Sequence, residues 1–357
     1  MLSLLNEHKI LCTFEIRNNM RMSLFRYIGI AKSVHKEINI QKKFNKEFLI
    51  PYLEELENKY SGKFDKEQKR KILNYYGIFI TSILCSSYKR LYGKSLCNEE
   101  RKRATLFGIL TPIGDDLFDI DKLDIDSIRH ITYDPDSYNA TTFSSKVAKE
   151  IQSYELHHVP YPKEYLEASK NVLEIQIETI KQTNSSISTE DLERITYTKG
   201  AVSVIIYHQS LDELADEKML EVLFLVGSLF QLGNDIFDVY KDLRDNIYTL
   251  PNTCDDYIIF KKKFIQRIKL QNDTIMALPY AKKNKKEFCI VMNSINARSL
   301  VAIDQFIRLQ KKMGQPIDWQ KLERKDMICD MEKLTNMVRW IRYMWKLLKM
   351  IPNPTKN

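Results

Sequence analysis

The segment EVLFLVGSLFQLGNDIFDVYKDLRDN is apolar along most of its length, yet Asn234, Asp238 and Asp242 break into it at intervals of four residues. At about 100° per residue, a four-residue step drifts only about 40°, so a helix gathers the three side chains into one stripe and keeps its other faces for a core. Acids stacked at this spacing destabilise an isolated helix by a few tenths of a kcal/mol. Apolar neighbours also make a merely solvated face strained, so the stripe points to a functional site. The rest of the chain agrees with a helical fold: 10 glycines and 10 prolines in 357 residues are few, and helix interiors exclude both. The expectation is an all-α protein, one helical domain with a central cavity. N-terminal helices occupy 1–100, a core carrying the polar motifs 101–251, and C-terminal helices 252–357.

A second acidic group, GDDLFDI, holds Asp115, Asp116 and Asp119. Asp115 and Asp119 share a helix face, while Asp116 is turned about 100° away and is placed to order the ligands from behind. Each helix therefore offers a row of hard oxygen donors. Repulsion within the rows is relieved if divalent cations sit between them and bind a phosphate-bearing ligand. The arrangement predicts a magnesium cluster that holds a diphosphate. Its candidate ligands are Asp115, Asp116, Asp119, Asn234, Asp238 and Asp242, with Asp115, Asp119, Asp238 and Asp242 as the catalytic carboxylates.

Upstream, IPYLEELENKY and KRKILNYYGIFITSILCSSY read as helices split by SGKFDKEQ. Asn98 suits an N-cap for the helix that ends in GDDLFDI, with acids in its first turn. Pro112 predicts a kink one turn before the aspartates, eased by Gly108. The stretch DKLDIDSIRHITYDPDSYNATTFSS reads as a loop or short lid helix, and its acids Asp121, Asp124 and Asp126 lack the pattern of a calcium loop, which leaves them solvated. Ser188 and Asp191 fit a capping box that opens a helix through YTKGAVSVIIYHQ. There Gly200, Ala201 and Ser203 permit close approach of a ligand or a neighbouring helix, and Lys199 is placed to meet diphosphate as a point charge.

A net charge of +8 is spread along the chain in short runs such as RKR and KKNKK. No zinc-finger spacing or aromatic RNA-binding signature accompanies them, so a nucleic-acid partner is not expected. The six cysteines show no paired spacing, and neither a disulfide framework nor a zinc site is indicated. The first residues, MLSLLNEHKILC, are broken by charge too early for a secretory segment, and no run of about 18 apolar residues occurs. A cytoplasmic location is the expectation.

These residues resemble the class I isoprenoid synthase superfamily, the all-helical fold shared by squalene and phytoene synthases, trans-prenyltransferases and terpene synthases. GDDLFDI is similar to the first aspartate-rich motif of that superfamily. Gln231, Asn234, Asp238, Val239, Asp242, Leu250 and Pro251 reproduce the spacing of the squalene and phytoene synthase motif QLxNxxxDVxxDxxxxxxxLP. Asn234, Asp238 and Asp242 also match the terpene synthase metal triad, with Asp238 where serine or threonine is usual. YTKGA resembles the lysine-containing helix of trans-prenyltransferases, and the pair Arg342 and Tyr343 resembles one that terpene synthases carry downstream of the second motif.

The resemblance implies three Mg2+ ions and a prenyl diphosphate substrate, with substrate contacts from Lys199, Gln231, Lys241, Arg244, Arg342 and Tyr343. It departs at Phe237 and Ile247, where squalene and phytoene synthases place arginines, and Lys241 and Arg244 stand nearby as replacements. The expected activity is Mg2+-dependent ionisation of a prenyl diphosphate, followed by cyclisation or elimination. Head-to-head prenyl transfer is the alternative, and a non-catalytic binder of prenyl lipid or diphosphate is the competing class. In MVRWIRYMWKLLKMI, Arg339, Arg342, Lys346 and Lys349 form a cationic stripe. Such a helix either packs on the core with its stripe in water or rests on anionic membrane as a peripheral contact.

Overall fold

The computed structural model describes residues 27–352 of the chain, so the N-terminal segment considered above as a secretory candidate lies outside the described residues. Among the described residues there is no strand, and the protein is all-α. Helix α1 covers 27–60, with a wide i→i+5 turn at Asn45–Leu49. It stops at Ser61, whose φ of 53° is left-handed. Gly62 follows because a Cβ there would meet the Phe143 ring at 2.2 Å.

Helix α2 covers 66–91 and opens on Asp65, whose carboxylate accepts from the Gln68 N–H at 2.8 Å while Gln68 Oε1 accepts from the Asp65 N–H at 2.6 Å. From Lys71 to Cys85 it too is wound with i→i+5 bonds, a geometry that normally lasts a single turn and is frequent at functional sites. Asn45 pins the two wide stretches together, donating to the Leu73 and Gly77 carbonyls at 3.1 and 3.3 Å.

Helix α3, Asn98–Asp119, brings the first acidic motif to its C-terminal turns. Cys97, not Asn98, is its N-cap residue, and the Cys97 N–H donates to Glu100 Oε2 at 2.9 Å. The helix runs without interruption through Pro112. Gly108 serves the crossing with α2, since a Cβ there would lie 2.8 Å from that of Tyr76. The acids after Asp119 are engaged rather than merely solvated. Asp124 caps α4, Ile125–Tyr133, by accepting from the Ser127 N–H at 2.7 Å, and Asp121 accepts from the Thr142 hydroxyl. Thr142 in turn caps α5, Phe143–His158, which leads into α6, Pro162–Glu178.

Helices α7, Thr189–Gln209, and α8, Glu217–Arg244, form the most extensive helix pair in the molecule. Ser188 caps α7 as expected, accepting from the Asp191 N–H at 3.0 Å. The pair crosses at two glycines: a Cβ on Gly200 would lie 2.1 Å from the Gly227 carbonyl oxygen, and one on Gly227 would lie 2.2 Å from that of Gly200. The small residues beside Lys199 therefore admit a neighbouring helix. By length and composition α8 could cross a membrane, with a mean hydropathy of 1.4 over 18 residues. Its apolar side chains, among them Leu223, Val226, Leu229, Ile236 and Val239, are core. They pack with α9, Tyr257–Ala277, and α10, Lys282–Met313. The final helix α11, Leu334–Leu348, lies along α10.

Candidate functional site

The polar stripe of α8 and the acidic end of α3 are held on either side of α2. Asp115, Asp119, Asn234 and Asp238 are exposed, Asp116 is half-buried, and Asp242 is buried. Tyr75, from the wide-wound part of α2, stands 3.5 Å from Asn234 Nδ2, and the Asp238 carboxylate acts on its hydroxyl. The adjacent Tyr76 is under the influence of Asp115 on the other side. Tyr75 stacks on Phe79 with centroids 5.7 Å apart, which ties this side chain to the core packing of α2.

Three lysines join the rows electrostatically. Lys199 on α7 acts on Asp115, Asp235 and Asp242; Lys241 acts on Asp115, Asp238 and Asp242; Lys71 on α2 acts on Asp115 and Asp238. Among the described residues none of the three makes an ion pair closer than 4.0 Å. Both rows are thus under the influence of the same lysines without being individually neutralised. Although both side chains reach solvent, desolvation by the surrounding protein raises the Asp115 and Asp238 carboxyls above their ordinary range, and the lysines only partly oppose it. Burial, reinforced by Asp235 and Asp238, pushes Asp242 up to about 7.

Asp116 faces away from its two neighbours and accepts a hydrogen bond from Gln68 Nε2 of the α2 capping box. Its carboxyl is raised to about 6 by burial, despite that bond. Asp235 escaped the four-residue pattern. Buried at the α7–α8 crossing, it accepts from Gln231 Nε2 at 2.8 Å and from Thr196 Oγ1 at 3.3 Å, and burial raises it to about 6. A glutamine four residues before an aspartate is a recognisable helical pair, so the signal was present. Gln231, expected to touch substrate, has its amide nitrogen committed to Asp235.

The remaining expected contacts separate from this cluster. Arg244 forks onto its neighbour Asp245 at 2.8 and 3.1 Å on the exposed end of α8. Tyr343 donates to Asp304 at 2.7 Å and accepts from Lys261 at 2.5 Å, while Arg342 lies exposed on α11. Among the described residues no hydrogen bond or ion pair links either to the aspartate rows. A cation that the sequence did not disclose stands closer. The Arg298 guanidinium of α10 lies 5.5 Å from the centre of the Phe237 ring and also acts on Tyr75.

One recess of about 340 Å³ sits between α1, α2 and α10, another of about 290 Å³ beside the start of α11, and neither includes a member of the two rows. Cys97, Glu100 and Asp212 bring three donor atoms within 4.8 Å of one another. Their acids are already neutralised, since Lys89 binds Glu100 and Arg103 binds Asp212 at 2.6 Å. The aspartate rows offer the hard oxygen donors that Mg2+ prefers, although among the described residues no three of their carboxylates bring donor atoms within 4.8 Å of one another. No family model, curated protein or solved structure matches the chain.

Proposed function

We propose that this chain is a Mg2+-dependent class I terpene synthase, with the isoprenoid-synthase helical fold, which ionises a prenyl diphosphate and cyclises or eliminates. The observation that carries the reading is the pair of carboxylate rows on α3 and α8, coupled through the unpaired lysines Lys71, Lys199 and Lys241. Bound at Asp115, Asp119, Asn234, Asp238 and Asp242, divalent ions supply Lewis acidity to the diphosphate oxygens. The lysines neutralise further charge on the leaving group as it develops. Asp116 and Asp235, each fixed by an amide, hold the two rows in place. The faces of Tyr75, Tyr76 and Phe79 stabilise positive charge left on the allylic group, by roughly 0.5–2 kcal/mol each where water is excluded.

One observation favours a second reading, head-to-head transfer between two prenyl diphosphates. Arg298 stands over Phe237, the position where squalene and phytoene synthases carry an arginine, and so returns a guanidinium to that region from another helix. Incubation with Mg2+ and prenyl diphosphates of increasing length, followed by diphosphate release and extractable hydrocarbon together, separates the two. The first reading predicts products with the carbon number of the substrate, and a doubled carbon number selects the second. No diphosphate release from any chain length rejects both and leaves the non-catalytic binder.

A further inference from the structure

Helix α11 has three faces where an ordinary surface helix has two. Trp340, Tyr343, Met344 and Leu347 turn inward: the Trp340 indole donates to the Ser294 carbonyl at 2.8 Å, Tyr343 bonds Asp304, and Leu347 is 1% exposed. At about 100° per residue these side chains span about 100° of the helix surface. The outward half is divided. Leu334, Met337, Val338 and Ile341, at 78%, 42%, 47% and 46% exposure, form one contiguous apolar stripe in water. Alongside it run Arg342, Lys346 and Lys349, all exposed, with Arg339 half-buried. From Leu334 to Asn357 the sequence contains no acidic residue.

The inward face satisfies the core, and Trp345, in line with the stripe, meets Tyr27 of α1 with ring centroids 6.0 Å apart, which leaves Leu334, Met337, Val338 and Ile341 exposed beyond it. Isolated exposed apolar residues need no explanation, but four on successive turns of one helix, flanked by a cationic row, do. We infer that α11 docks the protein on an anionic lipid bilayer. Leu334, Met337, Val338 and Ile341 enter the headgroup boundary, and the basic row reaches the phosphates. The docking is independent of the chemistry proposed above.

Flotation of the full chain with vesicles of phosphatidylcholine, with and without phosphatidylserine, tests it. The wild type is expected to float with the anionic vesicles, to do so less with phosphatidylcholine alone, and to be released by high salt. Val338→Glu with Ile341→Glu should lower partitioning at least tenfold without loss of helix content, because both positions are exposed. Arg342→Gln and Lys346→Gln should each lower it by roughly fivefold, the equivalent of about 1 kcal/mol per basic residue near an anionic surface. Three results overturn the inference: a wild type that does not float with anionic vesicles at low salt, partitioning unchanged in the double variant, or a lipid-free dimer that the double variant dissociates. The last identifies the stripe as an interface between copies of the chain. If the double variant instead unfolds, the glutamine variants, which leave the stripe intact, decide between lipid and core.

Discussion

Two clusters of charge lie at opposite ends of α3, and they are resolved in opposite ways. At the N-terminal end, Lys89, Glu100 and Glu213 are almost fully shielded, yet each has a partner: the Lys89 ammonium binds Glu100 and lies 2.6 Å from Glu213 Oε2, and Glu100 also accepts from the Asp212 N–H at 3.0 Å. Burial alone would depress Lys89 and raise Glu100, but hydrogen bonds outweigh it, holding Lys89 above and Glu100 below its ordinary value. At the C-terminal end, Asp115 and the facing stripe of α8 have lysines nearby but none in contact, and burial wins. The difference teaches where the fold is complete. The first cluster is neutralised within the chain, and the second keeps raised carboxyls without an ion-pair partner, as the proposed cation site would require.

The comparison breaks most visibly if a charge is removed from each end. Asp115→Ala and Asp238→Ala are each expected to lower diphosphate release by at least about 100-fold, as for loss of a principal electrostatic contact, with melting temperature and helix content unchanged. Near-normal release by either variant would overturn the role of the rows. Lys89→Met should do the reverse, lowering unfolding free energy by about 3–5 kcal/mol because it leaves buried carboxylates uncompensated. Denaturant titration measures it, and turnover per folded molecule should stay constant.

Arg298→Met sharpens the account of the α8 side. It should weaken pyrophosphate binding in the presence of Mg2+ by about tenfold, or about 1.4 kcal/mol, and Phe237→Arg in the same chain should restore it. Unchanged affinity would assign Arg298 to packing on Phe237 alone.

The smallest effect concerns protons. With Asp242 pushed up to about 7, this carboxyl holds more protons in the metal-free folded protein than in the unfolded chain from about pH 4 to about pH 7. The contribution of Asp242 to stability therefore falls as pH rises through that window. Asp242→Asn removes this contribution, so in a chelator the variant should be more stable than the wild type at pH 8 and close to it near pH 4. Thermal melts at the two pH values check the sign.

Much of this was legible in the sequence, and the rest was hidden for identifiable reasons. Scarce glycine and proline, with the cap at Ser188, made the helices readable, and the four-residue spacing paired Asp115 with Asp119 and Asn234 with Asp238. Spacing within one helix cannot show what another helix brings. Lys71, Tyr75, Tyr76 and Arg298 reach the site through tertiary packing from α2 and α10, and the wide winding of α2 changes which of its residues share a face. Arg244 and Tyr343 have partners of their own, Asp245 for one and Asp304 for the other, which spacing along the sequence does not show. Gly200 could be read as a point of close approach, but only its contact with Gly227 identifies what approaches.

The central claim, that the two rows close around cations to hold a diphosphate, is tested most directly by calorimetric titration of pyrophosphate into the full chain with and without Mg2+, alongside Asp115→Asn and Asp238→Asn. The account predicts tight binding only when Mg2+ is present, and loss of that binding in each variant, because each removes one side of the enclosure. Binding that needs no Mg2+, or that survives in both variants, would contradict it.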